Sequence, residues 1–92
     1  MSIGIAIMGC GRIGRIRGKI ASEFPGISWI GLCDINEELG NKLKKDIKAD
    51  LFTTNYTELI TRNEVDAVII ATSTWSHFEP TLIAIENKKK IF

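Results

Sequence analysis

Apolar residues follow two alternating rhythms along this chain. Ile3 to Met8 is a short apolar run closed by Gly9, the mark of a buried strand. Between Arg12 and Phe24, Ile13, Ile16, Ile20 and Phe24 recur at helical spacing, which predicts one inward stripe on a helix ended by Pro25-Gly26. Trp29 to Cys33 repeats the strand pattern and ends in Asp34. A helix opening at Asn36 puts Leu39, Leu43 and Ile47 on one face, weakened by about 1 kcal/mol at Gly40 relative to alanine. Asp50 to Thr53 reads as a short strand, and Tyr56, Leu59 and Ile60 fit a two-turn helix. Asp66 to Ala71 is apolar enough for a parallel strand covered on both faces. A last helix is expected from His77 to Asn87 with Phe78, Leu82 and Ile85 inward. Ser76 and Glu79 form a capping-box pair at its start, whereas Pro80 prefers the first helical position. Lys90-Ile91-Phe92 looks like the opening of a further strand.

Strands alternating with helices imply a parallel sheet with right-handed crossovers. The expected class is α/β: a three-layer, Rossmann-like, doubly wound parallel sheet, incomplete at its C-terminal edge. The chain of 92 residues is enough for one domain, residues 1–92, and too short for two. A formal net charge of +1 points to neither nucleic acid nor an anionic membrane as partner. There is no apolar run of membrane-spanning length and no basic start to a signal peptide, so a cytoplasmic location is expected. Cys10 and Cys33 read as two free thiols, Cys10 the more accessible. The triple lysine Lys88 to Lys90 reads as a solvated face at a helix end.

Chemistry enters at Gly9-Cys10-Gly11-Arg12-Ile13-Gly14. Alone, this spacing is weak. Here it follows a strand, opens a helix and is followed by the acid Asp34 at the end of the next strand, the arrangement that binds a dinucleotide. Gly9 permits the turn, Gly11 lets the backbone approach a pyrophosphate, and Gly14 lets helix and sheet pack closely. The N–H groups of Arg12 and Ile13 would then face the phosphates. Asp34 would accept hydrogen bonds from the ribose hydroxyls and repel the additional phosphate of NADP. Ile35 and Asn36 follow, with no arginine to bind that phosphate, so NAD is expected over NADP. Other readings stand beside this one. The glycines could form a bare turn and Asp34 a helix cap. The loop could hold S-adenosylmethionine, although such loops are usually looser.

The polar stretch Thr72-Ser73-Thr74-Trp75-Ser76-His77 follows the fourth strand and should face the same crevice. With it, the chain resembles the glucose–fructose oxidoreductase and inositol dehydrogenase family along essentially its whole length. The resemblance rests on Ile5 to Gly14, on Gly31-Leu32-Cys33-Asp34, on Val65 to Thr72, on Thr74-x-x-His77 and on Lys90-Ile91-Phe92. Ser73 departs from it, since the family usually has proline there. The resemblance implies an NAD(P)-dependent oxidoreductase acting on a hydroxyl of a sugar, cyclitol or similar small molecule. It also implies that Thr72, Ser73, Thr74 and His77 line the cofactor crevice. In the family, a Glu-Lys-Pro motif and a larger substrate domain come after the position of Phe92. These 92 residues contain neither, so no catalytic residue and no metal site is expected among them. A non-catalytic nucleotide-binding remnant therefore stays open, as does a homo-oligomer formed through the unfinished sheet. Glyceraldehyde-phosphate dehydrogenases share the string Gly11 to Arg15, but neither the Thr74-x-x-His77 loop nor a correctly placed cysteine fits them.

Overall fold

The computed structural model describes residues 2–71 and 78–92. Its elements run β1 (Ile3–Met8), α1 (Arg12–Ser22), β2 (Ile27–Cys33), α2 (Glu37–Ile47), β3 (Leu51–Thr53), α3 (Tyr56–Ile60), β4 (Ala67–Ile70), α4 (Phe78–Glu86) and β5 (Lys90–Ile91). The strands form one sheet in the order β3-β2-β1-β4-β5, every described pair parallel. Ile5 of β1 aligns with Ile30 on one side and Ala67 on the other. Two cores lie on the two faces. Ile5 and Ile7 pack with Ala21, Leu43 and Ile47 on the face covered by α1 and α2. Ala6 and Met8 pack with Leu59, Ile60 and Ala84 on the face covered by α3 and α4. This is the expected three-layer, doubly wound Rossmann-like sheet, and β5 forms where a further strand was expected.

The elements agree with the hydrophobic pattern, but the inward faces of α1 and α4 do not, and that of α2 agrees at Leu43 and Ile47 but not at Leu39. The isoleucine stripe of α1 points outward: Ile16 is 47% and Ile20 61% exposed, and Ile13 and Phe24 are exposed as well. The buried residues are Gly14, Gly18 and Ala21. The helix axis lies so close to the sheet that only small residues fit between them. In α2, Gly40, Leu43 and Ile47 face inward and Leu39 is exposed. Gly40 is there for space, since a Cβ would run into the ring of Phe52. In α4, Leu82 and Ile85 are exposed while Pro80 and Ala84 are buried. Pro80 is the third residue of this helix, where its missing N–H still costs no intrahelical bond. The side chain of Phe78 lies outside the described residues. Lys88 and Lys90 are solvated as expected, but Lys89 turns inward. Its Nζ donates to the carbonyls of Arg62 at 3.0 Å and Val65 at 2.5 Å, satisfying chain ends after α3.

Both cysteines are free, as expected, and buried in different cores, Cys10 on one face of the sheet and Cys33 on the other. The expected greater accessibility of Cys10 is not found, since both side chains are buried. The reason is that the Cys10 side chain folds under the turn, its Sγ 3.7 Å from the Cys33 carbonyl. Burial, then the nearby Asp34 carboxylate and Cys33, pushes the Cys10 thiol from 9.0 up to about 12. Burial, then Asp34 and Glu58, pushes Cys33 up to about 11.

Two outcomes follow from this packing. Gly40→Ala gains about 1 kcal/mol of helix propensity but overpacks Phe52, which costs about 1–3 kcal/mol. Urea unfolding should show a net loss, and Phe52→Leu in the same chain should reverse it; a more stable single variant would show that the ring yields freely. The thiols should resist a disulfide reagent at pH 8 in the folded protein and both react in denaturant. Their folded pKa values lie above the unfolded ones, so their contribution to stability is complete below pH 9 and is lost as pH rises toward about 11–12. A melting temperature that stays flat or rises between pH 9 and 11 would contradict this.

Candidate functional site

The sheet order reverses direction between β1 and β4, so their C-terminal ends border a crevice at the switch point. The N–H of Ala71 donates to the Met8 carbonyl at 2.8 Å, and that of Gly9 donates to the Cys33 carbonyl at 2.7 Å. The ends of β4, β1 and β2 are thereby tied side by side beneath the glycine turn. Gly9 has φ 107°, a conformation that side-chain-bearing residues rarely adopt, and this is what turns the chain out of β1. A Cβ on Gly14 would overlap the Gly9 carbonyl oxygen and carbon. Gly11 is different: its φ of −75° suits any residue, and among the described residues a Cβ there would meet nothing within 4 Å. Gly9 and Gly14 thus shape the turn itself, whereas Gly11 borders open space.

Helix α1 begins over that space. Its first intrahelical bond runs from the Arg15 N–H to the Gly11 carbonyl at 2.9 Å. The N–H groups of Arg12, Ile13 and Gly14 therefore have no partner within the helix. No side chain caps this end and no acid lies in the first turn. The two other helices whose starts are described are built the opposite way. Asn36 caps α2, with Glu37 and Glu38 in its first turn, and Asn55 caps α3, with Glu58. The start of α1 is left with its positive end undischarged, and it suits a phosphate.

Asp34 stands at the other side of the turn. Its Oδ2 accepts the Cys10 N–H at 2.7 Å and its Oδ1 accepts the Asn36 N–H at 2.8 Å. The carboxylate is half-buried, and it holds the glycine turn against the end of β2. Each oxygen keeps acceptor capacity for a further donor. Ile35, next in the chain, is 92% exposed, an apolar surface beside the acid. The structure thus brings Gly9, Gly11, Arg12, Ile13, Gly14, Asp34 and Ile35 to one end of the sheet. Thr72, Ser73, Thr74 and His77, and with them Trp75, lie outside the described residues. Sequence pattern did not disclose the tie between Asp34 and the Cys10 N–H, because a backbone donor leaves no mark on residue type. Among the described residues, no group of three or more His, Cys, Asp or Glu side chains could hold a metal ion, and no helix is long and apolar enough to cross a membrane.

Comparison with known proteins bears on the same region. The chain is 32% identical over 99% of its length to 2,7-anhydro-N-acetylneuraminate hydratase of Mediterraneibacter gnavus, covering 24% of that protein. It is 30% identical over its full length to inositol 2-dehydrogenase/D-chiro-inositol 3-dehydrogenase of Shouchella clausii, covering 27% of it. The chain thus spans about a quarter of the length of these curated relatives. In fold it superposes on the crystal structure of myo-inositol dehydrogenase from Lactobacillus casei in complex with NAD(H) and myo-inositol with a TM-score of 0.91, at 22% identity and covering 28% of that chain. Residues 3–92 match the profile of the oxidoreductase family with an NAD-binding Rossmann fold. By fold, turn and sequence match, this chain belongs to that family, the one that contains the inositol dehydrogenases, and it forms an NAD-binding oxidoreductase domain.

Proposed function

We propose that residues 1–92 are the cofactor-binding domain of a dehydrogenase that oxidises a hydroxyl of a sugar, cyclitol or similar small molecule, with NAD seated across the glycine turn. The observation that carries the proposal is the pairing of open space over Gly11 with the uncapped, acid-free start of α1. A diphosphate fits there because the backbone can approach it and the free N–H groups of Arg12 and Ile13 can donate to it. Gly9 and Gly14 hold the turn in shape. Asp34 accepts the adenosine ribose hydroxyls with its remaining lone pairs and repels the phosphate that distinguishes NADP. Ile35 offers an apolar face to the adenine. By family resemblance, Thr72, Ser73, Thr74 and His77 complete the crevice on the β4 side. When bound, the nicotinamide supplies the hydride acceptor; these residues bind and orient it.

The polyol substrate class is supported by the relatives. The Shouchella clausii protein is named for inositol, and the Mediterraneibacter gnavus protein for an anhydro sugar acid. By family resemblance, the substrate pocket and the proton-transferring groups would come from a larger substrate domain. Two buried, free thiols fit a reducing compartment and hence the cytoplasm. Copies of the chain would pair through the outer edge of β5, which has no strand neighbour among the described residues.

Calorimetry on the purified chain with NAD and NADP tests the proposal, with Gly11→Ala beside the unaltered protein. NAD should bind more tightly than NADP. Gly11→Ala should leave the thermal melt unchanged, since its Cβ would have no neighbour within 4 Å among the described residues, while weakening NAD by at least about tenfold, or about 1.4 kcal/mol. Equal affinity for NADP would remove the role given to Asp34. Unaltered NAD binding by the Gly11 variant would move the cofactor away from the turn.

A further inference from the structure

Asp34 is not the only acid at the ribose end of the site proposed above. Strand β3 runs alongside β2 with Thr53 opposite Cys33, the residue before Asp34. The Thr53 hydroxyl accepts the Asn55 N–H at 3.1 Å and donates to Oε2 of Glu58 at 3.4 Å. The Glu58 carboxylate is thereby drawn back from α3 toward the end of β3. Neighbouring strands lie about 4.8 Å apart, so the path through Cys33 and Thr53 sets the two carboxylates roughly 10 Å apart. After burial, Asp34 and Glu58 are the two charges that raise the Cys33 thiol, so both lie within electrostatic reach of one point on β2. They approach it from different layers. Asp34 is tied to the glycine turn and the start of α2, whose Leu43 and Ile47 pack on one face of the sheet. Glu58 belongs to α3, whose Leu59 and Ile60 pack on the other. The end of β2 is flanked by a carboxylate on each side.

Capping accounts for the size of residue 58 but not for its charge. Asn55 and Glu58 have the spacing of a capping box, in which glutamine serves as well as glutamate. Glu58 is exposed, and no lysine or arginine pairs with it among the described residues, where the ion pair is Arg62 with Glu64. Glu37 and Glu38, in the first turn of α2, are exposed too, but among the described residues no hydrogen bond orients their carboxylates. Glu58 differs in being held in place. NAD and NADP differ by the phosphate on the adenosine ribose, which carries about 1.5 to 2 negative charges at neutral pH. Their diphosphate is common to both and cancels from the ratio of their affinities. We propose that Glu58 is a further specificity-determining residue, a carboxylate on the α3 side of the ribose that repels the phosphate of NADP together with Asp34. The inference rests on the seating of NAD proposed above and extends it, since discrimination is then divided between two elements. At about 10 Å in water a unit charge pair changes an equilibrium about twofold, so a doubly charged phosphate feels Glu58 about fourfold.

Calorimetry of the 92-residue chain with NAD and NADP tests this at about 0.01 M salt, where charges act over about 30 Å, and at about 1 M, where they act over about 3 Å. Glu58→Gln keeps the capping group and removes the charge. At low salt it should lower the ratio of the NADP to the NAD dissociation constant about fourfold, by tightening NADP. At high salt the ratio should match that of the unaltered chain, and the thermal melt should not move. Glu58→Lys should lower the ratio further at low salt, by about tenfold or more. Asp34→Asn combined with Glu58→Gln should lower it by the product of the single effects. Glu64→Gln makes the same change in net charge at the opposite end of the sheet, where the Glu64 carbonyl lies against Gly4, and should leave the ratio alone. If NAD binds but Glu58→Gln leaves the low-salt ratio unchanged, the role of Glu58 falls while the cofactor site stands. An equal fall with Glu64→Gln also overturns it, because net charge alone would then decide. So does a change that persists at 1 M salt or comes with a lower melt, which would assign Glu58 to the helix cap. Absence of NAD binding by the unaltered chain would remove the site, and this inference with it.

Discussion

Where α1 meets the sheet, Gly14 lies so close to the Gly9 carbonyl that no Cβ fits between them. This contact brings the first residues of α1 directly over the end of β1. The distance from sheet to helix start then sets how far any group must reach from the backbone N–H groups of Arg12 and Ile13. It also dictates the small residues that follow. With the helix this near the sheet, Gly18 and Ala21 must continue the contact, and the larger residues have to leave by the flank. The anion-binding geometry and the exposed isoleucine stripe are two consequences of one close approach.

Asp34 couples that approach to the neighbouring strand. A carboxylate that accepts from Cys10 on one oxygen and Asn36 on the other joins the turn, the end of β2 and the start of α2. It therefore acts on the cofactor by two routes, by its own charge and by holding the turn that presents the helix N–H groups. Replacing it disturbs both, and a loss of affinity would not separate them. Gly11 separates them, since it borders the open space and a Cβ there would touch none of the described residues. Cys10 is drawn into the same arrangement. Its amide is needed by Asp34, its side chain is folded under the turn, and burial beside that carboxylate keeps the thiol protonated at ordinary pH.

The order and type of the elements were legible in the sequence because strands and helices differ in period, and β1, β2 and β4 are short apolar runs while the helices repeat at three and four. The glycine turn was legible because its residue types are dictated by geometry at Gly9 and Gly14. What the pattern did not disclose is which side of a helix faces in. Hydropathy identifies an apolar stripe, and the usual inference is that the stripe is buried. In α1 and α4 the inward side instead carries Gly14, Gly18, Ala21 and Ala84, and in α2 Gly40 joins the expected Leu43 and Ile47, small residues that score as weakly apolar but allow close approach. Gly40 shows the difficulty plainly. By propensity it is a defect in α2, and by packing it is the space that Phe52 fills. No count of hydrophobic residues distinguishes these, because the deciding quantity is the separation of two backbones.

The mismatch is informative in its own right. A helix whose sheet side is made of glycine and alanine needs no isoleucine to dock, and exposed isoleucines contribute nothing to this chain's own core. Three of them at helical spacing, continued by Phe24, run beside a sheet half that α1 to α4 leave bare. Scattered exposed apolar residues are ordinary on protein surfaces, but a contiguous stripe adjoining an uncovered parallel sheet is not. The right-handedness of crossovers explains why the chain's own local winding cannot cover it: α1 and α2 lie on one face because β1, β2 and β3 step in one direction, and α3 and α4 lie on the other because the chain then steps back past β1. Among the described residues, α1 to α4 therefore leave the half-face beyond β1 without a helix.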